Sequence, residues 1–158
     1  MTLRLLLALG LFIPALTVHG QCRFDPLDRG RVVKLSGQDF PVVEGKALDT
    51  LSLMRVEQGR FVPVAYQFDE LDEHGMVWFE GSEFAMAGDA GQLDKADQLL
   101  MMLTDAGPQA PATLRPAQGT IVADIAVARN CHFYLVEGNR QRSQNYYVAH
   151  DIDNGMTR

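Results

Sequence analysis

The sequence predicts an all-β, mostly antiparallel protein, a β-sandwich or partial barrel preceded by a signal-peptide helix. Two observations carry the β reading. Strand-length runs are short and divided by Gly- and Pro-bearing turns, and the clearest of them alternates between apolar and polar positions. A third observation, at the N-terminus, sets where the folded part begins. Arg4 precedes an apolar stretch from Leu5 to Leu16, interrupted by Pro14, and Thr17-Val18-His19-Gly20 supplies a small-residue exit. That is the layout of a secretory signal. The stretch covers 12 residues, whereas a membrane-spanning helix needs roughly 20. Gln21 stands directly before Cys22, where a lipoprotein signal requires a small residue. The expectation is cleavage after Gly20, no stable membrane anchor afterwards, a periplasmic or secreted location, and one β-rich domain over residues 21–158.

Taken in order, residues 31–35 read as a first strand ended by Ser36-Gly37. Residues 51–57 and 60–68 form a hairpin with Gln58-Gly59 at its turn. In its second arm Val62, Val64, Tyr66 and Phe68 share one face, the period-two mark of a half-buried strand. Pro63 cannot donate a ladder hydrogen bond and predicts an edge or bulge there. In the first arm the apolar phase slips from Leu51 and Leu53 to Met54 and Val56, which predicts a bulge near Leu53. Residues 76–79 read as a short strand. Residues 98–104 suit either a helix capped by Asp94 or a buried strand, and periodicity alone does not separate the two. Pro108, Pro111 and Pro116 mark a loop. Strands resume at 120–128, with Ile121, Ala123, Ile125 and Val127 on one face, and at 132–137. A last run at 145–150 leads to Asn154-Gly155, a strong hairpin-turn signal. Only Met156-Thr157-Arg158 follow, too few to pair, so the chain reads as the N-terminal part of a longer protein.

Composition narrows the partners. The chain carries 20 acidic and 14 basic residues, a formal charge of −6, and loss of the signal removes only Arg4. A surface of that sign repels nucleic acid, and no Lys/Arg cluster offsets it. Cys22 and Cys131 both survive cleavage into an oxidising compartment and are expected to form a disulfide. No zinc or haem spacing includes them.

Charge concentrates between Asp69 and Asp97, where nine carboxylates face Lys95 alone. One reading is a Ca²⁺ site built from Asp69, Asp72, Asp94 and Asp97, since calcium takes six to eight oxygens from flexible acidic loops. No EF-hand spacing is present, and the alternative is a solvated acidic rim. No catalytic or cofactor motif is legible. His74, His132 and His150 are scattered, and no nucleophile turn of the Gly-x-Ser-x-Gly type occurs. Trp78-Phe79 and Tyr146-Tyr147 offer faces for sugar stacking, although one member of each adjacent pair should be core.

The stretch from Val62 to Glu70, with Gln67, Asp69 and Glu70, followed by the stretch from Asp94 to Met102, resembles the N-terminal region of a family of uncharacterised exported bacterial proteins. There a Pro-x-Tyr/Val-Gln-x-Asp-Glu strand precedes an Asp-x-x-Asp-Glu-Leu-Val-Phe strand. Here Gln98 replaces the acid and Leu100-Met101 the Val-Phe pair. The resemblance implies that 98–104 is a strand and that more chain follows; it carries no activity. The functional expectation is therefore a non-catalytic envelope domain that binds or scaffolds a partner. The runner-up is an accessory or catalytic part of a carbohydrate-active protein, which requires aromatics and carboxylates in one groove.

Overall fold

A computed structural model describes residues 20–145, 147, 150–151 and 156–157; the predicted signal helix lies outside them. The described chain is β-rich, with only short 3-10 turns between strands. It forms β1 (Val32–Ser36), β2 (Leu51–Glu57), β3 (Arg60–Pro63), β4 (Tyr66–Asp69), β5 (Gln98–Met102), β6 (Thr120–Ala128), β7 (Cys131–Glu137), β8 (His150–Asp151) and β9 (Met156–Thr157). Two antiparallel sheets, ordered β1-β5-β4 and β3-β2-β7-β6, make the sandwich. A two-residue ladder joins β8 to β9. Met156-Thr157 thus does pair, against the expectation that too little chain followed Asn154-Gly155; residues 152–155 themselves lie outside the described residues.

The core between the sheets takes Leu51, Leu53, Phe133 and Leu135 from one side and Leu99 and Met101 from the other. Burial of each such side chain contributes about 1.5–3 kcal/mol. Cys22 is bonded to Cys131, with Cα atoms 4.7 Å apart, as expected. The bond fixes the first described residues to β7, and Phe24 packs against the same core.

The β2–β3 hairpin turns at Gln58 and Gly59, both at positive φ (49° and 75°), the paired left-handed geometry that matches strand twist. The predicted strand 60–68 is two strands in different sheets. Pro63 closes β3, which is an edge strand as its proline requires. The Val64 N–H makes one more bond to Leu53 O (3.0 Å), and the chain then crosses at Ala65 into the opposite sheet. Alternation reads straight through this corner, so period two does not disclose it.

No bulge interrupts β2 near Leu53, because its pairing with β7 runs unbroken from Leu51 to Met54. Adjacent apolar residues occur there because both faces are covered. Leu51 and Leu53 face the main core, while Met54 and Val56 join Tyr134 and Val136 in a second cluster beneath Ala110 and Leu114 of the Pro-rich loop. The register shifts lie in β6 instead, between Ile121 and Ala123 and between Ala126 and Ala128. The first separates Ile121, which joins the second cluster, from Ala123, Ile125 and Val127. Residues 76–79 do not form a strand. A single bridge joins Leu71 to Val77, and Met76, Val77 and Phe79 are exposed. Residues 98–104 form β5 as far as Met102 and then a 3-10 turn.

Candidate functional site

Four of the acidic residues, Glu70, Asp72, Asp94 and Asp97, accept backbone N–H groups of the loops around them. Asp72 Oδ1 accepts the N–H groups of His74 (2.8 Å) and Met76 (2.9 Å), closing the turn after β4. Asp94 Oδ2 accepts from Asp89 N at 2.6 Å, and Asp97 Oδ2 from Asp94 N at 2.7 Å. Glu70 Oε1 accepts from Gly91 N at 2.6 Å. Asp69 sits on β4 opposite Gln98 and accepts from the Gln67 side chain. Asp94 and Asp97 are thus together in one turn, Asp72 in another and Asp69 on a strand. Among the described residues no group of three or more His, Cys, Asp or Glu side chains is arranged to hold a metal ion.

Asp97 is 1% exposed. Burial raises its pKa to about 6; the Asp94 N–H opposes that rise, and the charges of Asp94 and Glu70 add to it. Its neighbours are carboxylates and backbone, with no nucleophile among the contacts it makes, so the shift reflects turn packing rather than an acid–base machine. His132 Nδ1 lies 2.6 Å from Asp124 Oδ1, and its ring stacks on Tyr134, whose hydroxyl accepts from Ala110 N. That pair helps seat the Pro-rich loop on the outer face of the sheet.

A concavity lies elsewhere, on the outer face of the three-stranded sheet. It is a groove of about 530 Å³ floored by Val32, Leu100 and Met102 and walled by β4 and the segment after β7. Strand alternation explains the floor: Leu99 and Met101 point into the core, so Leu100 and Met102 must point out. Polar residues from distant parts of the sequence line it. Tyr66 comes from β4, Arg142 from the coil after β7, and Tyr147 from beyond that. The Arg142 guanidinium stands 5.4 Å from the Tyr66 ring centre, a cation–π pair, and donates to Asp49 O at 2.9 Å. Tyr66 donates to Leu51 O, and Tyr147 to Asp105.

Burial pushes the Tyr66 hydroxyl up to about 12, although Arg142 pulls it down. Burial also lifts Tyr147 to about 12, aided by its bond to Asp105 and that residue's charge. Both phenols stay neutral at physiological pH and offer hydrogen bonds, not a nucleophile. Among the described residues no carboxylate lines the groove. Of the aromatic pairs singled out in the sequence, Trp78 is half-buried beside exposed Phe79, Tyr147 reaches the groove, and Tyr146 lies outside the described residues. Sequence reasoning missed Tyr66 and Arg142 as site residues. Tyr66 read as one more member of an alternating strand, and nothing in the local sequence marks Arg142.

No family model, curated protein or solved structure matches this chain.

Proposed function

We propose that this chain is an exported, non-catalytic β-sandwich domain with a binding or scaffolding role in the cell envelope. The observation that carries the reading is the groove beside Tyr66: concave, largely apolar, with fixed hydrogen-bonding groups and, among the described residues, one cation and no carboxylate. Such a surface suits binding. Glycoside cleavage needs two carboxyls about 5–10 Å apart, and among the described residues none lines this groove. The signal-like N-terminus and the Cys22–Cys131 bond both suit an oxidising compartment.

A photo-crosslinking residue placed at Gln67, on the groove wall, tests the reading in cells, with the same group at Arg60 on the far hairpin turn as control. Adducts confined to the Gln67 position, and lost on Tyr147→Ala, are expected. Equal labelling at both positions, or release of reducing sugar from envelope polysaccharide by the purified chain, overturns it.

A further inference from the structure

The groove ends at an edge that the fold leaves open. β1 is the terminal strand of its sheet. Leu103 N donates to Arg31 O (2.9 Å) and Gly37 N to Asp97 O (2.7 Å), which fixes the odd-numbered residues of β1 as those bonded to β5. In an antiparallel ladder the intervening residues turn their N–H and C=O the other way. The backbone groups of Val32 and Lys34 therefore face outward, and none meets a partner among the described residues. Ser36 is closed off, because its N–H donates to Asp39 at 3.0 Å.

Beside this edge runs a second cleft, of about 300 Å³, between β1 and β6. Val33, Leu35, Leu103, Ile125 and Val127 give it an apolar interior. Val32, 52% exposed, borders both this cleft and the groove. A strand laid along β1 would thus send alternate side chains towards the groove and into the cleft.

Charge points to the chemistry of that strand. Among the described residues, the charged side chains lining the two cavities are Arg142, Arg31 and Lys34, all cationic, in a chain with 20 acidic residues. Lys34 has no carboxylate partner among the described residues, and Arg31 has only Asp28 at 3.4 Å. We infer that the free edge of β1 is a strand-addition site for an extended acidic peptide with alternating apolar residues. The inference rests on the binding reading above and names its partner class. Main-chain bonds to Val32 and Lys34 supply affinity, and the two cavities and three cations supply selectivity. A second copy of this chain is a poorer occupant. It would bring a second set of Arg31 and Lys34 to an edge lined by the same cations, and an edge lysine guards against such pairing.

The test uses the mature chain and a synthetic peptide of alternating valine and glutamate, with alternating valine and lysine as control. Amide exchange at Val32 and Lys34 is read by NMR. At saturation the acidic peptide slows both amides by about tenfold or more, and the basic peptide does not. Lys34→Pro removes an outward N–H that the β1–β5 ladder does not use, so it abolishes binding with little change in Tm. Lys34→Gln keeps the N–H and only weakens binding. Acidic-peptide binding that leaves the β1 amides unchanged overturns strand addition while the binding reading stands, and equal binding of the basic peptide overturns the charge assignment. Tight binding of polygalacturonate that survives Lys34→Pro assigns the cations to a polyanion instead. If neither peptide binds and Gln67 gives no adduct, both the inference and the binding reading fall.

Discussion

Asp97 is buried in a turn that it helps to close, and its ionised form is the disfavoured one. Its pKa rises from 3.8 to about 6 on folding, so the folded state holds its proton more tightly than the unfolded chain. The stability this contributes is complete below about pH 3.8 and is lost as pH rises through about 6. Asp97→Asn keeps an oxygen to accept the Asp94 N–H and never ionises. We expect the variant to match or exceed the parent in Tm at neutral pH. The parent's stability relative to the variant should decline with rising pH across that window, measured by thermal melts in matched buffers. A difference that stays constant with pH would remove Asp97 from the account. The disulfide acts at the same scale through different physics. Cys22 and Cys131 are 109 positions apart, and replacing both with alanine should cost about 2–5 kcal/mol in urea unfolding under oxidising conditions.

At the level of elements, two glycines separate two kinds of constraint. Gly59 has a φ of 75° with open space around it, so Gly59→Ala meets only the left-handed backbone penalty, about 1–2 kcal/mol. Gly107 pairs with His132 beneath the Pro-rich loop, and a Cβ there would lie 2.4 Å from Val56 O. Gly107→Ala must lift the loop, at a cost of about 1–3 kcal/mol, and should speed amide exchange at His132, whose N–H bonds Gly107 O. Gly59→Ala should leave that amide unchanged. These elements also show what a sequence discloses. The β2–β3 hairpin was legible because Gln58-Gly59 is local turn chemistry, and β5 was legible only as one of two options until its strand neighbours were considered. The sheet change at Ala65 and the register shifts in β6 were not, because each preserves or mimics an alternation that belongs to a different face. The groove was the least legible feature. Its floor, Leu100 and Met102, reads as core, and its cation, Arg142, comes from a coil with no pattern of its own.

For the whole molecule, residues 1–20 predict that the protein from the cell envelope begins at Gln21. N-terminal sequencing checks this, and recovery of intact Met1 there would overturn it. Strand order adds a consequence for how such a chain matures. β1 pairs with β5 as Val32↔Met102, β2 lies between β3 and β7, and Cys22 waits for Cys131. In the proposed export, with the chain threading from its N-terminus, the β2–β3 hairpin is the first pair able to close on its own, and an isolated hairpin is marginal in water. The second edge of β2 stays unpaired until β7 has emerged. On that proposed route the polypeptide would travel with most of its strand pairs unmade and fold after delivery. For that interval it would depend on whatever shields apolar strands on the far side.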